Sequence, residues 1–261
     1  MSINHTNAGS TWVPSKRCAL GPGILSCTDT DGTAVLNVER DRMYSVIGLG
    51  SVIVSKLARN ESGLTFESLV DKVTPEVKAA PRGQTEREVA RLLDALKEQG
   101  IVQPDATRRL NLRRYRWPSG FMFVAHGVVC FLLKLGFYNL TAFLGLFVVN
   151  VVLKIVSFGA LYRLVKSWPK AGTHGEVEVE EEIQRVGIAV DRATTWYPKQ
   201  AQCLQRSAVT VCLLRSCGVA AQMVIGVTKV PFRSHAWAEV SGDVVNDTPK
   251  VSKRYRVMDR C

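Results

Sequence analysis

Apolar and polar positions along the chain divide it into three stretches. Between residues 23 and 47, the runs Gly23–Cys27, Thr33–Glu39 and Arg42–Ile47 are separated by the turn sequences Thr30-Asp31-Gly32 and Arg40-Asp41, a pattern that predicts three short strands. Helical spacing follows. Leu49–Arg59 is apolar at Leu49, Ile53 and Leu57, Phe66–Val73 reads as a second short helix, and Glu86–Gln99 places Val89, Leu92, Leu93 and Leu96 on one face before Gly100 stops it. Strands followed by three helices in so short a span predict a winged-helix-like unit over residues 20–105.

The middle stretch, 106–172, is the most apolar. Phe121–Leu133 and Leu135–Leu153 are interrupted only by Lys134, and the second run has the approximate length of a membrane-spanning helix. Gly136, Asn139, Thr141, Gly145 and Asn150 dilute it. Three readings stand side by side: a pair of buried helices, a segment lying on a membrane surface, and a true span.

Gly172–Gly175 then reads as a linker, and the Glu-rich start at Glu176 opens a helix that continues through Ile183, Val186 and Val190 and breaks at Trp196-Tyr197-Pro198. After Pro198 a second helix begins, with Cys203 in its first turn and Leu204, Ala208 and Val211 along its buried stripe, until Gly218 ends it. Three strands are expected next, at Ala221–Val227, His235–Val240 and Val244–Asp247. The whole predicts an α+β protein, with residues 173–261 as its C-terminal domain.

Charge changes the picture only in the middle. The net +11 of the 261 residues falls as −1 over residues 1–105, +10 over 106–170 and +2 over 171–261. Nucleic-acid binding would need those basic residues on a surface with base-reading or stacking groups, whereas the aromatics here sit inside apolar runs. Seven scattered cysteines, an odd number, do not make a disulfide scaffold. The first 25 residues lack the basic and apolar pattern of an export signal, so free thiols in a reducing cytoplasm are expected.

Candidate chemistry gathers in the last stretch. A cysteine in the first turn of a helix meets unpaired backbone N–H groups and the positive end of the dipole, which favour thiolate and can hold an oxyanion. His235 on one strand and Asp247 on the next would complete a nucleophile, base and orienting acid in the order Cys203, His235, Asp247. If Ser241-Gly242-Asp243 forms a three-residue loop, Asp247 lies opposite Trp237, on the face of His235; a two-residue loop at Gly242-Asp243 turns it to the other face. Asp243 is a nearby alternative acid, and each of Cys203 and His235 has an ordinary reading as a packed residue. A metal site built from Cys203, Cys212, Cys217 and His235 is not expected. At 100° per residue Cys212 lies on the far side of the helix from Cys203, and Cys217 is about four turns away.

The block Cys203-Leu-Gln-Arg-Ser207, followed by Leu213-Leu-Arg215, Gly218, Val224-Ile-Gly-Val227, Pro231-Phe232, His235-Ala-Trp237 and Glu239, resembles the transglutaminase-like leader peptidase of lasso-peptide biosynthesis. The unit ahead of it resembles the PqqD-like element that captures leader peptides. The resemblance implies an N-terminal winged-helix-like PqqD-type domain and a C-terminal transglutaminase/papain-like domain; the apolar helical middle segment between them is not covered by its motifs and departs from it. It further implies a cysteine peptidase that binds the leader of a ribosomally made precursor and cuts it from the core. A partner macrolactam synthetase, which uses ATP, would then close the ring, and no cofactor is implied for this chain. Family roles transfer to Cys203, His235 and Asp247. By fold analogy, the leader would lie along the edge at Tyr44 and Val46 and the groove beside Val89, Leu92 and Leu96. Arg206 and Glu239 are expected to tether the helix to the hairpin, and Cys261 to be an exposed terminal thiol. The expected partners are the precursor peptide and the synthetase, with no nucleic acid, and peripheral membrane contact through residues 120–160 follows from the second reading of the middle stretch. An acyl-transferring enzyme and a non-catalytic leader-binding scaffold remain the alternatives.

Overall fold

The computed structural model describes residues 12–77, 81–104, 117–169, 176–197, 202–229 and 231–261. The chain forms two compact units, 1–111 and 112–261.

In the first unit, β2 (Ile24–Asp29), β3 (Gly32–Asn37) and β4 (Arg42–Val46) form an antiparallel sheet in that order, with β3 buried along its whole length. A second small sheet sets β1 (Arg17–Leu20) between β5 (Leu64–Thr65) and β6 (Val102–Pro104). Three helices pack on these strands: α1 (Gly48–Ala58), α2 (Phe66–Val73) and α3 (Arg82–Glu98). Thr65 caps α2 by accepting a hydrogen bond from the Ser68 amide. Ile53, Leu57, Leu69, Val70, Val89, Leu93 and Val102 make the shared core. The predicted helix Phe66–Val73 is matched residue for residue, whereas β1, β5 and β6 went unread in the sequence.

The second unit opens with three helices where the sequence suggested two: α4 (Ser119–Lys134), α5 (Tyr138–Val151) and α6 (Phe158–Ser167), with a π turn at Val152–Val156 before α6. Helix α5 is two-faced. Thr141, Ala142, Leu146 and Val149 are buried against the two helices that follow, α7 (Glu176–Trp196) and α8 (Cys203–Ser216). Leu140, Leu144 and Phe147, on its other side, are exposed. The 19-residue run Tyr138–Val156 is long and apolar enough to cross a membrane.

Helix α8 lies against an antiparallel sheet of order β10-β7-β8-β9, built from β7 (Ala221–Lys229), β8 (Phe232–Val240), β9 (Asp243–Val244) and β10 (Arg256–Arg260), with a short α9 (Val251–Arg254) before the last strand. Arg215, only 1% exposed, ties the end of α8 to its neighbours: Nε donates to the Ala221 carbonyl at 2.7 Å and Nη1 to the Val165 carbonyl at 2.6 Å. A buried guanidinium without such acceptors would be strongly destabilising.

Candidate active site

Helix α8 begins where its N-terminus is satisfied by a reciprocal cap. The Gln202 amide donates to Gln205 Oε1 at 2.7 Å, while the Gln202 side chain accepts from the backbone of Gln205. The first bond along the helix axis runs from the Arg206 amide to the Gln202 carbonyl. The amides of Cys203 and Leu204, at the two positions before the capped one, need no partner within the helix. Cys203 therefore stands at a helix start with two donors beside it.

His235 lies on β8, opposite Gly226 of β7. Its imidazole belongs to a cluster of three rings, with Trp237 and Tyr255 also near each other at 6.4 Å. Tyr255 stacks on it with centroids 5.0 Å apart and planes 26° apart, and Trp237 follows at 6.3 Å. Gly226 makes this arrangement possible: a Cβ there would sit 2.6 Å from Trp237 and 2.9 Å from Tyr255, closer than van der Waals contact permits. Trp237 is fully buried, and its Nε1 donates to Glu239 Oε1 at 2.8 Å.

Asp247 reaches the imidazole by a route the strand pattern did not predict. The β8–β9 loop is the two residues Ser241-Gly242, both at positive φ as a tight mirror-image turn requires, and Val240 pairs with Asp243. Regular pairing ends at Val244, so the expected strand Val244–Asp247 is absent. Continued in that register, Asp247 would fall opposite Ala236, on the wrong face. Instead the chain bends after Val244, and Asp247 Oδ2 comes to 2.7 Å from His235 Nε2.

What bends the chain is the edge of β8. The Ala238 carbonyl accepts from the Val245 amide at 3.0 Å, the Ala238 amide donates to Asn246 Oδ1 at 2.7 Å, and the Ala236 carbonyl accepts from Ser207 Oγ at 3.0 Å. Asn246 Nδ2 in turn donates to Ser207 Oγ at 2.9 Å. Ser207 is one turn beyond Cys203, and its hydroxyl proton is shared with the Cys203 carbonyl at 2.8 Å. One buried hydroxyl thus links the helix turn that begins with Cys203, the residue after His235 and the residue before Asp247. Among the described residues, no hydrogen bond joins Cys203 Sγ to the imidazole.

Burial works against the Asp247 carboxylate, but hydrogen bonds from His235 and the Thr248 amide, together with the charge of Arg206, outweigh it and hold its pKa below the ordinary carboxylate value. Ionised Asp247 accepts the Nε2 proton, which leaves Nδ1 as the basic nitrogen. Burial pushes Cys212, Cys217 and Cys261 up to about 12.

Several expectations need correction. Cys261 is not an exposed thiol: it is half-buried, and its backbone pairs with Met223 at 2.7 and 2.9 Å. Arg206 ties α8 to α7 through Asp191 rather than to the hairpin, and Glu239 pairs with Arg260 of β10. In the first unit, Val89 and Leu96 are core residues, because α3 turns that stripe inward, and cannot line an open groove. Tyr44, Val46 and Leu92 are half-buried at the margin of that core, the first two on β4, an outer strand. Ser207, Asn246 and Tyr255 were missed as site residues. The first two lie inside motifs already singled out, Cys203–Ser207 and Val244-Val-Asn-Asp247, and a buried polar residue one turn after a nucleophile is the signal that was available.

Residues 145–260 match the transglutaminase-like superfamily, and residues 32–102 match coenzyme PQQ synthesis protein D. The chain joins a PqqD domain to a transglutaminase-like domain, whose match begins inside α5. A relative among characterised proteins is the microcin J25-processing protein McjB of Escherichia coli, 39% identical over 59 residues that make up 23% of this chain and 28% of that protein. No solved structure matches the chain significantly.

Proposed function

We propose that this chain is a cysteine peptidase of lasso-peptide biosynthesis, which binds the leader of a ribosomally made precursor through its PqqD domain and cleaves leader from core in its transglutaminase-like domain. The observation that carries the reading is the His235–Asp247 pair at 2.7 Å, tied through Ser207 to the helix turn that begins with Cys203. The relative named for microcin J25 processing supports the same role.

The chemistry follows from the residues. His235 Nδ1 takes the Cys203 proton, and ionised Asp247 holds the other nitrogen protonated and steadies the imidazolium. The thiolate attacks the scissile carbonyl, and the Cys203 and Leu204 amides receive the developing oxyanion. The imidazolium then protonates the leaving amine, which departs with the core peptide. Water, deprotonated by the same imidazole, cleaves the thioester and releases the leader with a free carboxylate. No step needs a cofactor. The freed amine is the group a partner ATP-using synthetase would join to an acidic side chain of the core. Holding the leader on the same chain raises the effective concentration of the scissile bond.

Mass spectrometry of a lasso-type precursor incubated with the chain, with and without the synthetase, tests the reading. The expected result is one cut, lost in Cys203→Ala while leader binding by fluorescence anisotropy survives. An amide adduct on the leader would indicate acyl transfer instead, and binding without cleavage in any mixture would leave a recognition scaffold.

A further inference from the structure

We propose that the outward face of α4 and α5 docks on the surface of an anionic lipid bilayer. This rests on the second unit alone and does not depend on the peptidase reading.

Phe121, Phe123 and Phe131 of α4 are 51, 69 and 61% exposed, and Leu140, Leu144 and Phe147 of α5 are exposed beside them. Between the two helices, and floored by α6 and α8, runs an almost wholly apolar groove of about 310 Å³, walled by Phe121, Val128, Leu132, Leu144 and Val148. So large a continuous apolar surface marks an interaction site rather than ordinary scatter.

Charge names the occupant. Residues 106–170 contain ten Lys and Arg and no Asp or Glu. Five of the ten are arginines of 108–116, outside the described residues; Lys134 stands exposed at the end of α4. Helices α4 and α5 themselves carry no acidic residue, and exposed aromatic side chains in a strongly basic segment suit the headgroup and acyl boundary of an anionic leaflet. Glu182 of α7 meets α5 from its other side. Tyr138, which shares the buried face with Thr141 and Ala142, donates to Glu182 Oε2 at 2.9 Å.

The same two-sidedness selects surface docking over spanning. Crossing a bilayer would strip Thr141, Ala142, Leu146 and Val149 from α7 and α8, the helix that carries Cys203. At Gly145 the approach to α8 is so close that a Cβ would lie 3.1 Å from Val209. Helix α5 therefore keeps one face on the domain and offers the other to lipid.

The test is flotation of the purified full chain with vesicles of phosphatidylethanolamine and phosphatidylglycerol, against vesicles of phosphatidylcholine alone. The expected result is at least about tenfold more protein on the anionic vesicles, reversed by high salt or an alkaline carbonate wash. Phe123→Ser, Phe131→Ser and Phe147→Ser combined should abolish it with an unchanged circular dichroism spectrum. Lys134→Glu, which disturbs no packing, should weaken it even if the triple variant fails to fold. Equal binding to neutral vesicles, retention after carbonate, or no flotation would overturn the proposal. Self-association of the wild type that the triple variant loses, without flotation, would make the face a protein interface instead.

Discussion

Replacing Ser207 with Ala probes the joint on which the candidate site is built. The residue is fully buried, and its hydroxyl serves three neighbours: the carbonyls of Cys203 and Ala236 and the amide nitrogen of Asn246. The Cys203 carbonyl is also placed to accept its ordinary helical bond, so it loses least. The Ala236 carbonyl and Asn246 Nδ2 lose the Ser207 hydroxyl, their partner among the described residues. Each unsatisfied buried group costs about 1–3 kcal/mol, and water recovers part of that at half-buried Asn246, so the variant should lose about 2–4 kcal/mol. Urea unfolding read by near-ultraviolet circular dichroism reports chiefly on the second unit, which holds four of the five tryptophans, Trp237 among them. Because Ser207 and Asn246 share one bond, Ser207→Ala and Asn246→Ala should be non-additive by about 1 kcal/mol in a double-mutant cycle. Cleavage should fall further than stability explains, under conditions where the variant is still folded. A loss below about 0.5 kcal/mol together with strict additivity would refute the reasoning, since that is the range of an ordinary surface change.

Three further outcomes follow from the same geometry. Gly226→Ala forces a methyl into Trp237 and Tyr255, and should destabilise the second unit by about 1–3 kcal/mol and displace the ring stacked on His235; an unchanged melting curve would contradict it. Asp247 has a depressed pKa, so its contribution is present above the unfolded carboxylate value near 4 and disappears as pH falls through its folded value. Acid titration of stability should show the wild type's advantage over Asp247→Asn constant from neutral pH to about 4 and shrinking below, whereas a gap that widened in acid would be the wrong sign. Limited iodoacetamide labelling followed by peptide mapping should modify Cys203 before Cys212, Cys217 or Cys261, whose buried thiols are held near 12. Equal labelling of Cys261 would remove the case for a privileged Cys203.

Much of this was legible in the sequence wherever local signals agreed. Helices with one apolar stripe and a clear stop, α2 above all, and the strands β2 to β4 between strong turn sequences were read within a few residues. The elements missed were short strands whose existence depends on distant partners. Residues 17–20 are a strand because Cys18 pairs with both Leu64 and Pro104, and residues 256–260 because they complete the sheet beside β7. Neither run alternates enough to announce itself.

The middle helices were hard for the opposite reason. A helix apolar all round carries no periodic signal of which face is buried, and α5 proves to have one of each. At the site, the residue types and chain order pointed to Cys203, His235 and Asp247, but the strand argument for Asp247 did not hold. A two-residue turn puts that register on the wrong face, and side-chain bonds from Asn246 and Ser207 to the edge of β8, invisible to any periodicity, bring the carboxylate back.

Hydrolysis by Cys203 is tested by cleaving a lasso-type precursor in heavy-oxygen water. The released leader should carry one heavy oxygen in its new carboxylate, and neither Cys203→Ala nor His235→Ala should yield the product although both still bind the leader. A labelled leader released at the wild-type rate by Cys203→Ala would contradict it.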